Sequence, residues 1–339
     1  MVSKVTIKDV AREAGVSVGS VSNVINENPA LRSDTIARVQ AAMRKLSYSP
    51  NAAARNMRTQ TTGAIGFVIN DISNPIYAAI AKEAEYLLNK QGYHLILVDS
   101  DNRPGQEVEI FSMLGANRVD AIVATLSDER DPGVYSCLAQ YPVPVVLLDR
   151  NVEALATSSV CIDYATGVEK AVNYLLHLGH EDIALICGGR EIRPGRECVK
   201  GYEAAMNAAN MAVKDNLVRS GALSGEFGYK EARDLFDRAN RPTALICGAN
   251  RIFAGALKAA KNLKLQIPKD LSLIACDDTD LTSLATPSFT VLKRDTKEIG
   301  KALAREVLRT LSGDASKVNK IMLDAELLIR ESCSPVSKL

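Results

Sequence analysis

Residues 5–26 read VTIKDVAREAGVSVGSVSNVIN and contain two helical hydrophobic patterns with a turn between them. Thr6 is a typical N-cap residue, and the acidic Asp9 three positions later favours a capping box. Gly15 predicts the end of the first helix, because glycine adopts the left-handed conformation there without strain. Ser17 predicts the start of a second helix. Two helices joined by a short turn containing glycine are typical of a helix-turn-helix, whose second helix lies in the DNA major groove.

The second predicted helix has one apolar and one outward face. Val21, Val24 and Ile25 recur at the spacing of a buried stripe. The residues left on the outward face are Val18, Gly19, Ser22, Asn23 and Asn26. A third helix is predicted from about Ser33, with its buried face formed by Ile36, Val39, Met43 and Leu46. We assign residues 1–49 to this helical head.

The head is more basic than the rest of the chain. The first 60 residues contain nine Lys and Arg against four Asp and Glu, whereas the whole chain of 339 residues contains 41 and 40. A basic head favours an anionic partner, and nucleic acid is the first candidate. Charge alone does not distinguish a surface that binds nucleic acid from a basic face that is only exposed to solvent, so the second remains as the alternative.

The segment after the head predicts a short hinge helix. Ser49 is a suitable cap, Pro50 suits the first helical position, and three alanines follow. The segment is shorter than the roughly 12–15 residues that a helix needs to persist alone in water. We therefore expect residues 50–61 to form a hinge helix and linker that is ordered only when docked.

From Thr62 onward, apolar runs alternate with helical patterns. The predicted strands are residues 64–70, 94–99, 121–125, 143–149, 182–188, 243–248 and 271–276. The predicted helices are residues 75–91, 105–117, 166–178, 197–210, 228–239 and 251–262. This alternation predicts an α/β fold with two doubly wound parallel-sheet subdomains. A ligand cleft is expected between them, at the carboxyl ends of the strands.

The segments VTIKDVAREAGVSVGSVSNVIN and LSYSPNAAARNM closely resemble the DNA-binding head and hinge of the lactose-repressor (LacI) family of bacterial transcription regulators. The remaining chain fits the effector-binding core of that family, so the resemblance covers essentially all residues. It implies a periplasmic-binding-protein-like core over residues 62–339, with chain crossings near 162, 291 and 320. The implied subdomains are residues 62–162 with 291–319, and residues 163–290 with 320–335.

The resemblance also implies roles for residues of the head and hinge. Positions that read bases match Val18, Gly19 and Asn23, and positions that contact phosphates or orient the head match Thr6, Ser17, Ser20, Ser22 and Asn26. The implied minor-groove contacts of the hinge are Asn51, Ala54 and Met57. Many members have Arg in place of Asn23. Because Arg favours guanine and Asn suits adenine, we expect an operator rich in A·T near the inner end of each half-site.

In the core, the resemblance implies an effector site formed by Tyr77, Asp149, Arg190, Arg193, Arg196, Phe227, Asn250 and Asp277. The chain departs from the family at three other positions, where Cys198, Ala249 and Leu223 replace residues that commonly contact sugars. The chain also contains no Trp to stack on a sugar ring. An anionic effector such as a sugar acid or phosphate compound, held by arginines, is favoured over a neutral sugar. Two alternatives stay open: the site binds a small ligand of another kind, or the protein has no effector at all.

No motif for catalysis was found. The sequence lacks a glycine-rich nucleotide loop, a nucleophile elbow and the ligand spacing of a metal site. We expect no catalytic residue, no metal and no cofactor. The adjacent Asp277 and Asp278 are better suited to binding than to acid–base chemistry. A sugar-handling enzyme with a fused head, or a DNA binder whose core only dimerises, remain as alternatives.

Other features predict the compartment and the partners. Seven widely spaced cysteines suggest free thiols, and no apolar run approaches the roughly 20 residues of a membrane span. A cytoplasmic protein without membrane contact is therefore expected. We predict a transcription regulator, most commonly a repressor, that binds a palindromic double-stranded DNA operator as a homodimer under the control of a small-molecule effector. The C-terminal RESCSPVSKL has no leucine heptads, which favours a dimer over a tetramer. A protein co-regulator stays open, as does the direction of the effector's action.

Overall fold

The computed structural model of the protein describes residues 5–25, 31–48, 61–116, 119–152, 155–313 and 318–336. The chain divides into two compact units, Met1–Thr62 and Gly63–Leu339. The predicted contact residues Asn26, Asn51, Ala54 and Met57 lie outside the described residues.

The first unit contains three helices: α1 (Ile7–Ala14), α2 (Val18–Ile25) and α3 (Ser33–Lys45). Val10, Val21 and Val39 contribute one fully buried residue from each helix to a small common core. A salt bridge of 2.6 Å between Lys45 and Glu13 joins the end of α3 to α1. The three-helix head that was predicted from the caps and apolar stripes is thus present.

The second unit is built from parallel strands with helices on both faces. Its strands are β1 (Ala64–Ile69), β2 (His94–Asp99), β3 (Ala121–Ala124), β4 (Val145–Leu148), β5 (Ser158–Asp163), β6 (Ile183–Gly188), β7 (Val218–Gly221), β8 (Ala244–Cys247), β9 (Ser272–Cys276), β10 (Thr290–Arg294) and β11 (Lys320–Leu328). Its helices are α4 (Pro75–Asn89), α5 (Pro104–Ala116), α6 (Pro132–Ala139), α7 (Tyr164–His177), α8 (Arg193–Ala208), α9 (Gly225–Phe236), α10 (Asn250–Asn262), α11 (Asp280–Ser283) and α12 (Thr296–Leu311).

Hydrogen bonding places the strands in the order β2-β1-β3-β4-β5-β11-β10-β9-β8-β6-β7. The long strand β11 is shared, because residues 320–324 pair in parallel with β5 whereas residues 325–328 pair antiparallel with β10. We call the half built on β1–β5 subdomain N and the half built on β6–β10 subdomain C. Helix α12 follows β10 but packs on α4, and so returns the chain to subdomain N.

Apolar side chains cover both faces of each sheet. Along β1, Ile65 and Phe67 face a core that continues under both subdomains, whereas Val68 faces a separate core with Phe111. Phe253 belongs to the matching core on the other face of subdomain C. Burial on two faces explains why these strands appear in the sequence as unbroken apolar runs.

The structure contains strands and crossings that the sequence analysis did not place. Strands β5, β7, β10 and β11 and helices α6, α11 and α12 were not predicted. The chain leaves subdomain C after Arg294 and re-enters it within β11 near Ala325, a few residues later than expected. The two sheets are parallel as predicted, except that β11 is antiparallel to β10.

Candidate nucleic-acid interface and ligand cleft

The first helix of the head is closed at both ends by local hydrogen bonds. The backbone N–H and the hydroxyl of Thr6 donate to Asp9 Oδ2 at 3.0 and 2.6 Å. The bond from the Thr6 hydroxyl stabilises the carboxylate and lowers the pKa of Asp9. Gly15 has a φ of 63°, and the N–H groups of Gly15 and Val16 close back onto carbonyls of the last turn. The turn that follows is therefore tightly held.

Helix α2 begins at a serine pair. Ser17 Oγ accepts from the backbone N–H of Ser20 at 3.1 Å, and the two hydroxyls lie 3.0 Å apart. Val21 is fully buried on one face of the helix, whereas Val18 on the other face is 42% exposed. Gly19 and Asn23 are also exposed, and Ser22 is half-buried. The structure thus brings the three residues expected to read bases to the accessible side of α2.

The fold does not require the glycine at position 19. A Cβ atom added there would meet only Ser17 Oγ at 3.6 Å, an ordinary van der Waals distance. Glycine within a helix costs roughly 1 kcal/mol relative to alanine. Gly19 therefore lowers the stability of the helix without relieving any crowding inside the head. A glycine in such a place is suited to the close approach of a partner.

The second unit contains a cleft between subdomains N and C. It is bounded by residues that follow strands β1, β4 and β8 and by the starts of helices α7, α8 and α10. Of the residues expected to bind an effector, Tyr77, Asp149 and Asn250 line this cleft. Asp277 is buried directly behind Arg294, which also lines it.

Two aspartates are bound by the same arginine. Arg294 donates from Nε and Nη2 to the two carboxylate oxygens of Asp277 at 2.5 and 2.7 Å. Its Nη1 lies 3.3 Å from Asp149 Oδ2 and 2.7 Å from the hydroxyl oxygen of Tyr164. Both carboxylates were predicted from the sequence, whereas Arg294 and Tyr164 were not. One feature of the sequence points to Arg294, which stands at the end of the apolar run FTVLKR.

The three arginines of the loop after β6 are not gathered in the cleft. Arg193 is buried, and its Nη1 donates to the carbonyl oxygen of Ile162 at 2.8 Å. Arg196 forms a 2.6 Å salt bridge with Glu129 of subdomain N. Arg190 is exposed. None of the three is among the residues that line the described cleft.

The predicted aromatic residues have different surroundings. Tyr77 is half-buried, and loss of solvent raises the pKa of its hydroxyl. The ring of Phe227 covers Gly221, where an added Cβ would lie 2.6 Å from the ring. Phe227 therefore serves packing in subdomain C, and Leu223 lines the cleft in its place. Cys198, one of the three positions at which the sequence departs from the resemblance, is buried.

Two buried polar atoms in the cleft have no hydrogen-bond partner. They are Oδ1 of Asn70 and Nη2 of Arg150. The Arg150 side chain is otherwise held, because its Nε donates to the carbonyl oxygen of Leu126 and its Nη1 to that of Asp149. Leaving such groups without a partner costs about 1–3 kcal/mol each, so they are suited to contact a bound molecule. Neither residue was predicted from the sequence.

The described residues give no support for a metal site, for a disulfide or for a membrane-spanning helix. They contain no cluster of three or more His, Cys, Asp or Glu that could hold a metal ion. All seven cysteines are free, and burial raises the pKa of the Cys187 thiol to about 12. None of the helices described here is long and apolar enough to cross a membrane.

Comparison with protein families and with known proteins agrees with this architecture. The family of bacterial regulatory proteins called lacI matches residues 6–51, and a periplasmic binding protein-like domain matches residues 172–333. The HTH-type transcriptional regulator DegA of Bacillus subtilis (strain 168) is 32% identical over 336 residues, 98% of this chain and 99% of DegA. The HTH-type transcriptional repressor PurR of Pectobacterium carotovorum subsp. carotovorum (strain PC1) is 32% identical over 329 residues, 96% of each chain.

Solved structures show the same fold. A complex of the transcriptional regulator CelR with cellobiose covers 97% of this chain and 100% of its own, at 26% identity and a TM-score of 0.74. A lac repressor dimer bound to operator and the anti-inducer ONPF covers 98% of this chain and 99% of its own, with a TM-score of 0.86 and 24% identity.

A helix-turn-helix head followed by a periplasmic-binding-protein-like core defines a DNA-binding transcription regulator, a class that is not enzymatic. This chain belongs to the lacI family of bacterial regulatory proteins, whose members bind operator DNA and small-molecule effectors. The predictions of family, fold class and general function are confirmed, and the alternative of an enzyme is excluded.

Proposed function

We propose that the protein is a repressor that binds a palindromic operator as a homodimer in the cytoplasm. The exposed face of α2 supports base reading by Val18, Gly19 and Asn23. Thr6, Ser17 and Ser20 lie at or near the starts of α1 and α2, where hydroxyls and helix N-termini can hold phosphates, and Ser22 lies in the middle of α2. Occupancy of a promoter by the bound dimer would block transcription.

Selection from random duplex DNA tests this part of the proposal. The expected product is a two-fold symmetric site with A·T pairs at the bases that face Asn23. The affinity for that site should fall steeply between low and moderate salt, because bound phosphates release counterions. An asymmetric product, or an affinity that does not change with salt, would contradict the proposal.

Exposed apolar residues support a dimer formed through the core. Strand β2 is the outermost strand of its sheet, and Ile96 on it is 43% exposed. Leu284, just after α11 in subdomain C, is 79% exposed. An edge strand with exposed aliphatic side chains is normally covered. A second copy is the occupant that a palindromic site requires, since each chain has one head.

Sedimentation velocity distinguishes this interface from other surfaces. Ile96→Lys and Leu284→Lys should each shift the protein from dimer towards monomer. Ile329→Lys is the matched control, because Ile329 is also exposed but lies after β11. A wild-type monomer, or equal dissociation in the control, would contradict a dimer formed through these residues.

We further propose that a small neutral molecule binds in the cleft and controls DNA binding. The observation that carries this proposal is the pair of unpartnered atoms, Asn70 Oδ1 and Arg150 Nη2, which call for a ligand with both a donor and an acceptor. The anionic ligand expected from the arginine loop loses its support, because Arg193 and Arg196 bind protein groups. A neutral polyol, amide or nucleobase fits better.

A thermal-shift screen tests the ligand class. Neutral polyols, amides and nucleobases would be compared with sugar acids and sugar phosphates, using the wild type and Asn70→Ala. A ligand at ~100 times its Kd stabilises the folded protein by about 2.7 kcal/mol. We expect neutral hits that weaken in the variant. Stabilisation by anions alone would contradict the neutral class, and a silent screen would favour a core without an effector or a protein co-regulator.

A further inference from the structure

The two aspartates at the cleft occupy matching places in the two subdomains. Asp149 follows β4 of subdomain N and Asp277 follows β9 of subdomain C, and both have a left-handed backbone, with φ of 56° and 72°. Their side chains are only 7% and 1% exposed. Two carboxylates buried side by side repel each other unless a cation or hydrogen-bond donors lie between them.

Arg294 of subdomain C lies between the two carboxylates. It forms a two-bond fork with Asp277 in its own subdomain and reaches Asp149 in the other at 3.3 Å. Burial disfavours the guanidinium cation, but the Asp277 charge more than compensates and raises the pKa of Arg294. The cation that the carboxylates need is thus part of the chain.

The remaining acceptor sites of Asp149 are also filled by the protein. Its Oδ1 accepts from the backbone N–H of Ile162 at 3.0 Å, and its Oδ2 accepts from the Tyr164 hydroxyl at 2.8 Å. Tyr164 begins α7 and so belongs to subdomain C. Both oxygens of this carboxylate are thus satisfied within the chain, without a ligand.

We propose that Arg294 does in this protein what a bound effector would do: of the charged links between the two subdomains, it is the one without which the core opens when no small molecule is present. This inference deepens the proposed effector control, since an effector then acts on a core that is already closed. The test reads closure alone, so the inference can fail while operator binding and effector binding hold.

A backbone amide at the start of α8 reports closure directly. The N–H of Arg193 is at the first position of the helix, where no carbonyl of the helix can accept it. It donates instead to Glu129 Oε1 of subdomain N at 2.6 Å. Its hydrogen exchange is slow only while the two subdomains are together.

Hydrogen exchange with residue resolution would be measured on the full chain, freed of ligands by unfolding in urea and refolding. In ligand-free wild type we expect the Arg193 amide to exchange at least about tenfold more slowly than an unprotected amide. Arg294→Gln and Arg294→Ala should each accelerate it by about tenfold or more. Arg330→Ala is the control, because Arg330 binds Asp278 at 2.6 Å within subdomain C, and it should leave the rate unchanged.

Rescue with methylguanidinium separates the bridge from a general loss of stability. In Arg294→Ala the added cation can occupy the space between Asp149 and Asp277, so 10 mM methylguanidinium should restore slow exchange at Arg193 and raise the Tm by roughly 2–4 °C. Wild type and Arg330→Ala should not respond.

Three results would overturn the inference. They are fast exchange of the Arg193 amide in ligand-free wild type, slow exchange in a folded Arg294 variant, and a rescue that is equally large in Arg330→Ala. The wild-type measurement needs no variant, so it can overturn the inference even if both Arg294 variants fail to fold.

Discussion

Asn250 of subdomain C donates its side-chain amide to Asn74 Oδ1 of subdomain N at 2.8 Å, across the cleft. The same Asn74 oxygen accepts from the backbone N–H of Ile76 at 3.1 Å and so caps helix α4. One amide oxygen therefore both starts a helix and joins the two subdomains. Beside it, Arg251 Nε lies 3.3 Å from Asp71 Oδ2, which adds a salt bridge between the subdomains.

This shared oxygen predicts unequal costs for the two asparagines. Asn74→Ala loses a cap and a bridge and should lower the free energy of unfolding by about 1–2 kcal/mol. Asn250→Ala loses only the bridge and should cost about 0.5–1.5 kcal/mol. Denaturant unfolding of both variants and of the double variant measures this. Asn262→Ala, which breaks a 3.1 Å bond to Tyr229 within subdomain C, is the control. Additive effects of the two cleft variants would contradict a direct bridge.

Gly19→Ala should separate stability of the head from DNA binding. The added methyl group fits the free protein and favours the helix, so the head should become more stable by about 0.5–1 kcal/mol. Operator affinity should fall, because the methyl group lies on the face proposed to approach the bases. Thermal unfolding and DNA titration measure the two effects. Gln40→Ala on the exposed side of α3 should leave affinity unchanged; if Gly19→Ala does too, the proposed close approach is wrong.

Asn23→Arg should change which base is preferred. Asn pairs with two edge atoms of adenine, whereas Arg pairs with two of guanine, and each such pair is worth about 1–3 kcal/mol. Parallel selections with wild type and variant should therefore differ at one position of each half-site, from A·T to G·C. Lys8→Ala is a suitable control, because an exposed lysine of α1 should affect overall affinity without altering base preference. The same preferred base in both selections would remove Asn23 from the base-reading set.

His180 predicts a loss of stability in mild acid. Its ring nitrogens lie 2.9 Å from Thr243 Oγ1 and 3.1 Å from the carbonyl oxygen of Ser334, and burial lowers its pKa. The folded protein holds the neutral ring, so the unfolded chain takes up the proton first as the pH falls through about 6.5. The free energy of unfolding should decrease from there downward, and level off below the folded-state pKa.

The size of this effect is about 1.4 kcal/mol for each unit by which the pKa is lowered. Urea unfolding between pH 5 and pH 8 measures it. The loss should be smaller in His180→Gln and should persist in His177→Gln, which removes an exposed imidazole from α7. An identical pH profile for wild type and His180→Gln would exclude the buried ring as its source.

The head was predictable because its signals are local. Thr6, Gly15 and Ser17 each begin or end a helix through bonds to residues at most five positions away. The strands with unbroken apolar runs, such as β1, β6 and β8, were equally clear, whereas the buried β5 was missed because its sequence SSVCID begins with two serines. Strand β11 was missed because its residues are exposed or half-buried except for Ala325, its sequence is mixed polar and apolar, and it pairs with strands far away in the chain.

The cleft was only partly predictable. Asp149 and Asp277 were found because they follow apolar runs, but their partner Arg294 is 145 residues from one of them and 17 from the other. Nothing in the local sequence shows that an arginine will satisfy two distant carboxylates. For the same reason, the loop arginines were expected to bind an anion, although the structure gives Arg196 a partner 67 residues away in Glu129.

The sharing of β11 between the two sheets limits how the core can move. A strand bonded to β5 along one half and to β10 along the other cannot leave either sheet without breaking a row of backbone bonds. Separation of the subdomains by simple translation is therefore costly, whereas a change of twist near Asp324 and Ala325 keeps both rows intact. We therefore expect the subdomains to move relative to one another by rotation near these two residues rather than by sliding apart.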